Sequence, residues 1–431
     1  MRRISKKRKG VGAALALSVA VTSAAMLGAT GPAAAQSPGP RVGVVCTSNA
    51  NSTFTLTTHT GYINLPDGST AYMWGYSNGG DGFQHPGPVL CVNEGDTVTI
   101  VLHNTLPQDV SIAFPGQNNV LANGAAAQPQ FDGGGNLTSL TNVAAANGGS
   151  VTYSFVADHP GTFLYESGTN PEIQVRMGLF GALIVRPTMG ANFAYNRADS
   201  QFDPTEEFLA LLSEIDPYLN QAVEAGKTFN ITKYHPRYWL INGRGFPDSI
   251  ADNFASWLPN QPYGSLAEIL PYDADTHPNP ALDRYLSVGT EDYPFHPHGN
   301  NGVVIGRDGH PLEGPLGEDL SFEKFSVPVG PGQTWDLLFK WQDDNDYSLN
   351  NPVPVTEPNL QNLVIGMFYG GSPYLGETGP LPPGSSTLNE CGEFYIISHN
   401  HALYQITSWG VNMTGPITYT RVDPPDGSCP G

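Results

Sequence analysis

Basic residues are scarce in this 431-residue chain: 19 Lys and Arg stand against 39 Asp and Glu, a formal charge of −20 at neutral pH. Six of the 19 (Arg2, Arg3, Lys6, Lys7, Arg8 and Lys9) crowd the first nine residues, so a chain without that segment would carry 13 basic against 39 acidic side chains. Such a surface repels polyanions, which excludes nucleic acid and anionic membranes as partners. Cysteine is also sparse. The four cysteines, Cys46, Cys91, Cys391 and Cys429, fall in no C-x-x-C spacing, which excludes thiolate metal sites of that kind. Charged residues are only 13% of the chain, too few for a disordered one.

Long apolar runs are missing with one exception, from about residue 11 to residue 27. Basic residues precede it and Ala33-Ala34-Ala35 follows it, so residues 1–35 read as a secretory signal peptide. The run is short, rich in Gly and Ala and followed by no stop-transfer pattern, which argues against a membrane anchor. The expectation is a secreted, extracellular protein with no membrane association after cleavage. The Arg2-Arg3 pair leaves the general secretory and twin-arginine routes both open. In an exported protein four cysteines suggest two disulfides out of three connectivities, and their layout favours Cys46–Cys91 and Cys391–Cys429.

Glycine and proline are abundant, 50 and 38 residues. They punctuate short β-rich segments at 53–56, 89–91, 97–102, 150–155 and 180–185 in the first half, and at 237–243, 284–288, 303–305, 324–329 and 335–341 in the second. This pattern predicts an all-β chain of β-sandwiches. Residues 203–214 read equally as a helix start or a buried strand, 216–225 as a short helix, and 343–390 as a long surface insertion. The polar stretch 189–201 separates a first domain, 37–188, from a second, 202–431. No repeat of 20–50 residues interrupts this layout.

Two H-x-H pairs carry the chemistry: His296 and His298 in Tyr-Pro-Phe-His-Pro-His-Gly, and His399 and His401 in Ser-His-Asn-His. On a strand, residues i and i+2 share a face. Two such pairs on neighbouring strands aim four imidazoles at one point, a donor set suited to copper or zinc. Among the other seven histidines, His85, His159, His235 and His277 each precede proline and read as solvated turn residues, and His310 as exposed.

Pro294-Phe-His-Pro-His-Gly with the following Val-Ile-Gly-Arg-Asp-Gly309 resembles the H-P-x-H-x-H-G motif of multicopper oxidases, and His399-Asn-His401 is similar to their H-C-H motif. In the first half, Pro86-Gly-Pro88 with Glu94-Gly-Asp96, Gly161-Thr-Phe-Leu-Tyr165 and Gly178-Leu-Phe-Gly-Ala-Leu-Ile-Val185 resemble the segments that open and close the family's first domain. The match runs through most of residues 86–424 in the family's order. It implies two cupredoxin-like Greek-key β-sandwich domains with a short helical connection, a blue copper that takes electrons from substrate, and a three-copper cluster built from eight histidines. Carried over residue by residue, His296 resembles the ligand of the lone cluster copper, and His298, His399 and His401 those of the coupled pair and its neighbour.

The sequence departs from that family elsewhere. Tyr293, Asn400 and Gln405 stand where the blue copper's His, Cys and second His belong, and Met413 comes too late for its axial ligand. Ala113 and Pro115, and Glu166 and Gly168, replace the first domain's four cluster histidines. Glu166 alone of these offers a ligand or base. The expectation is therefore a copper-binding oxidoreductase-like protein with a single-metal site at His296, His298, His399 and His401, zinc being the alternative metal. Its substrate would be a small phenol, amine or metal ion. The rival expectation is a non-catalytic cupredoxin for metal binding or scaffolding. Two-domain relatives trimerise to build their cluster between subunits; without the first-domain ligands a monomer and a trimer are both open.

Overall fold

The computed structural model describes residues 40–298, 301–341 and 394–423. The expected signal peptide, the 343–390 insertion, Cys391 and Cys429 lie outside the described residues. The described residues form one compact unit.

Within it are two β-sandwiches. The first packs a four-stranded sheet, in the order Cys46–Thr47, Val89–Asn93, Phe180–Arg186, Gly161–Glu166, against a six-stranded sheet. The latter runs Thr70–Asn78, Thr53–Asn64, Thr97–Asn104, Gly149–Val156, Leu121–Ala122, Ala125–Ala126. Leu56, Trp74, Tyr76, Ile100, Leu102, Tyr153, Phe163 and Leu183 fill the space between them. The Asn-Glu-Gly-Asp turn of residues 93–96 carries the chain from one sheet to the other rather than closing a hairpin. Gly95 adopts φ +88° there, and Asp96 Oδ2 closes the turn by accepting from Asn93 N, three residues earlier, at 2.9 Å.

The second sandwich has a seven-stranded sheet built on Glu207–Ile215, Ala281–Ser287 and Thr334–Phe339. It faces a five-stranded sheet in the order Ala267–Ile269, Ile417–Val422, Phe394–Asn400, Tyr293–Pro297, Val327–Val329. The ambiguous 203–214 segment is a strand, buried at every position from Glu207 to Ile215. Its reason is tertiary. One face looks into its own sandwich through Phe208, Ala210 and Leu212, and the other carries Leu209 and Leu211 onto Val89, Leu164, Phe180, Ala182 and Ile184 of the first sandwich. A strand covered on both faces reads as a continuous apolar run. The helix expected at 216–225 is Pro217–Glu224, with Asp216 accepting from Tyr218 N at 3.0 Å as its N-cap,. It joins two strands of the second sandwich, so the stretch between the sandwiches contains only the one-turn segment Ala198–Ser200.

Charge is buried where the sandwiches meet. Arg284, 1% exposed, donates Nε to Glu207 at 2.6 Å and Nη1 to Thr162 Oγ1 at 2.6 Å and to Asp336 at 3.4 Å, while Arg186 grips Glu207 with two bonds of 2.6 Å. Burial is the largest single influence and raises the Glu207 carboxyl, but the charges and hydrogen bonds of the two arginines together outweigh it and hold the carboxyl below its ordinary range,. Cys46–Cys91 is bonded as expected, tying the N-terminal strand to the four-stranded sheet.

Candidate metal centre

The two H-x-H pairs lie on adjacent antiparallel strands of the five-stranded sheet, with His296 directly opposite His399. Two further main-chain bonds continue the ladder beyond it, His298 N to Ile397 O at 3.0 Å and His401 N to Pro294 O at 2.8 Å. Strand alternation then fixes the sides: Tyr293 and Phe295 point into the sandwich, and His296 points out,.

The four imidazoles gather on that outer face. Ring centroids are 4.6 Å apart for His296–His298, 5.0 Å for His298–His399, 5.1 Å for His296–His401, 5.4 Å for His399–His401 and 5.7 Å for His296–His399. Two tautomers are set by carbonyls. His296 Nδ1 donates to Phe325 O at 2.7 Å, and His399 Nδ1 donates to Asn400 O at 2.9 Å. Each carries its Nε2 lone pair on the side away from that carbonyl, the orientation such bonds impose on metal-binding histidines. His298 Nε2 and His399 Nε2 are 2.9 Å apart, a hydrogen bond in which His298 Nε2–H donates to the His399 lone pair and which a shared metal ion would replace. Burial, reinforced by the neighbouring rings, pushes His298 down to about 4 and lowers His399 as well, so both are neutral and ligand-competent at pH 7. The donor chemistry fits a single copper or zinc ion. Among the described residues, however, no three such donors converge on a finished metal position, so the rings would have to turn to complete a shell.

On the inner side of the same strands, Tyr293, Asn400 and Gln405 are fully buried. Asn400 Nδ2 donates to Gln405 Oε1; Gln405 Nε2 donates to Glu291 Oε2 at 2.7 Å, and Glu291 also accepts from Trp239 Nε1 at 3.0 Å and Tyr404 OH at 3.2 Å. Tyr293 OH donates to Glu214, which also accepts from Thr290 N at 2.6 Å and Thr290 Oγ1 at 2.7 Å. A hydrogen-bonded amide–carboxylate network therefore fills the space between these side chains. The sequence offered no sign of Glu214 or Glu291, whose strand and loop converge only in the fold.

In the first sandwich Ala113 pairs with Glu166 across an isolated antiparallel bridge, and Gly168 lies beside Ser111 and Ala113. Burial raises Glu166 above its ordinary range. Among the described residues no hydrogen bond, ion pair or ring contact joins it to the four histidines. Met413 packs at the edge of the Phe246, Tyr395 and Tyr419 cluster. Two expectations for the other histidines need correction. His85 is not solvated but 1% exposed, its ring on Phe180 at 5.3 Å, both nitrogens unpartnered and burial pushing it down to about 3. His277 is largely buried against two carboxylates. His310 is exposed as expected and stacks on His159 at 4.8 Å.

Residues 57–190 match the family model described as multicopper oxidase. An L-ascorbate oxidase of Cucurbita maxima is 33% identical over 182 residues, covering 41% of this chain and 28% of the relative. Laccase-12 of Arabidopsis thaliana is 30% identical over 258 residues, covering 59% and 38%. Over residues 57–190 the chain is similar to the multicopper oxidase family. It spans between about a quarter and two-fifths of the length of these curated relatives. Among solved structures, the multicopper oxidase mgLAC superposes with a TM-score of 0.57 at 19% identity over 86% of each chain. A blue copper oxidase from Nitrosomonas europaea gives 0.56 at 17% identity over 86% of this chain and 85% of that one. At such identities the likeness is one of fold, and it establishes this chain as a pair of cupredoxin-like Greek-key sandwiches.

Proposed function

We propose that this chain is an exported copper-binding protein of the multicopper oxidase family whose working centre is a mononuclear site at His296, His298, His399 and His401. The observation that carries the reading is the pair of Nε2 atoms 2.9 Å apart with His399 held in the ligand tautomer by the Asn400 carbonyl. Bound copper would supply one-electron exchange with a small phenol, amine or metal ion, or with dioxygen. The protein's own residues hold His298 and His399 neutral, orient His296 and His399 through the carbonyls of Phe325 and Asn400, and leave the site open to solvent on the His401 side. Zinc would use the same nitrogens without redox chemistry.

A specific observation favours the second reading, a non-catalytic cupredoxin that binds metal or acts as a scaffold. The blue-copper positions carry no thiolate, and Gln405 and Asn400 are tied to Glu291 instead, so the family's electron entry is replaced by structure. A solution mass measurement separates monomer from trimer.

The test is metal content of the purified protein after copper loading. About one copper per chain, absent in the His298→Ala/His399→Ala variant and lacking the intense blue of a thiolate bond, supports the site; oxygen uptake with phenols then separates enzyme from scaffold. Copper retained in full by the double variant, or no copper in either protein, overturns it.

A further inference from the structure

The core of the second sandwich contains a polar cavity of about 20 Å³ between its two sheets. From the large sheet, strand Ala281–Ser287 contributes Asp283 and Tyr285; from the small sheet, strands Phe394–Asn400 and Ile417–Val422 contribute Ser398, Thr418 and Thr420. Strand alternation explains the placement. Asp283 lies between Ala281 and Tyr285 on the inner face, among apolar core side chains. Ser398 stands opposite Thr418, and Thr420 opposite Ile396 and Ala267, on the inner face of the small sheet. His399, the residue after Ser398, faces the other way. The cavity therefore lies behind the strand that carries one histidine pair.

Three polar groups in it have bonding capacity to spare. Asp283 Oδ2 accepts from Tyr285 OH at 3.3 Å, and among the described residues Oδ1 has no partner. Ser398 and Thr420 are only 5% and 8% exposed, and among the described residues neither hydroxyl makes a hydrogen bond. Thr418 Oγ1 is already committed, donating to Ser265 O at 2.5 Å. Buried polar groups left unpaired cost free energy, and these three do not bond one another. Size and donor set choose what joins them. A water needs about 10–15 Å³ of such space and makes about three hydrogen bonds to otherwise unsatisfied groups. The cavity offers room for one and three partners. Burial pushes Asp283 up to about 7, so below that value its carboxyl carries a proton and can donate as well as accept. No second carboxylate, imidazole or thiol lines the cavity, which denies a metal ion the ligand set it needs.

We propose that the second sandwich holds a buried water-binding site, in which one water joins Asp283 on the large sheet to Ser398 and Thr420 on the small sheet. The water accepts from Asp283 and from one hydroxyl and donates to the other. It replaces a direct side-chain bond between the sheets and braces from behind the strand whose outer face presents His399. It also gives the Asp283 proton an exchange partner inside an otherwise apolar core. The site is independent of any metal at the four histidines.

The experiment is crystal diffraction of the full chain, paired with oxygen-17 relaxation dispersion to count long-lived internal waters in solution. The unaltered protein is expected to show one density peak within hydrogen-bond distance of Asp283 Oδ1, Ser398 Oγ and Thr420 Oγ1. Ser398→Ala/Thr420→Val removes both small-sheet partners with little change of volume. It is expected to lose that peak and one long-lived water while its far-ultraviolet dichroism stays unchanged. Asp283→Leu, which fills the space with apolar atoms, is expected to lose both as well. A cavity without density in the unaltered protein, a test that needs no variant, overturns the site. So does a peak that persists in Ser398→Ala/Thr420→Val, or one ringed by oxygens at the about 2.3–2.6 Å of a bound calcium-type cation.

Discussion

Replacing Gln405 by Leu tests whether the buried network of Asn400, Gln405 and Glu291 is part of the fold's framework. Gln405 is fully buried and joins Asn400 to Glu291. Leucine of similar size leaves Asn400 Nδ2 without its acceptor, and an orphaned buried donor costs about 1–3 kcal/mol. The charge-assisted bond to Glu291 is lost too, but Glu291 keeps Trp239 and Tyr404 and its partial exposure lets water replace the amide, so that contribution falls at the low end of about 1.5–3 kcal/mol. The apolar gain of leucine offsets about 1 kcal/mol. The expected net loss is about 2–3 kcal/mol. Asn400 Oδ1 already lacks a partner, so replacing Asn400 by Leu in the Gln405→Leu background removes both orphans together. The double variant should be more stable than the sum of the singles by at least about 1 kcal/mol. Urea denaturation followed by tryptophan fluorescence measures this, as midpoint shifts at constant m-value. A Gln405→Leu cost below about 0.5 kcal/mol, or single costs that add within about that figure, would refute the network's role.

Cys46→Ser should lower stability by up to about 4 kcal/mol, the chain-entropy value for the 45-residue separation that this disulfide closes,; thermal denaturation with and without reductant reads it. Arg284→Met leaves Asp336 and Glu207 in the buried junction with one cation fewer, and since Arg186 still holds Glu207 the cost should sit near about 3 kcal/mol, measured by denaturant midpoint. Asp283, on the inner face of the second sandwich beside Tyr285 OH at 3.3 Å, is pushed up to about 7 by burial. Between the ordinary carboxylate range and that value the unfolded chain has lost this proton while the folded one keeps it. Its contribution therefore falls as pH rises from about 4 to 7 and is constant above. Asp283→Asn should remove that slope, and parallel stability–pH curves for the two proteins would contradict the assignment.

Much of the site was legible because strand periodicity is a local property. The i, i+2 spacing of His296/His298 and His399/His401 predicts a shared face for each pair, and the ladder that sets His296 opposite His399 completes the cluster. What periodicity could not supply is register and partner. Residues 203–214 read equally as a helix start and as a buried strand, because the signal that decides between them is burial on both faces by two different sheets. His277 looked like a turn residue because its carboxylate partner Asp203 lies 74 positions away. His85 was misread for the same reason: Gly178 and Gly243, whose lack of a Cβ lets the backbone close over the ring, come from both halves of the chain. The contacts of Glu291 with Gln405 and of Glu214 with Tyr293 were likewise invisible, since each is made across tens of residues.

The junction of the two sandwiches has a consequence for how this protein can be divided. The sequence relationship to the family is concentrated in residues 57–190, which invites expression of that segment alone. Cutting there would bare Val89, Leu164, Phe180, Ala182 and Ile184, whose partners Leu209, Leu211 and Leu286 belong to the second half, and would strip Arg186 of Glu207. A freed first half would present a sticky sheet face and an unmatched guanidinium, and it should aggregate rather than stand alone. The stretch that bears the family's signature is thus smaller than the piece that can be handled as a protein.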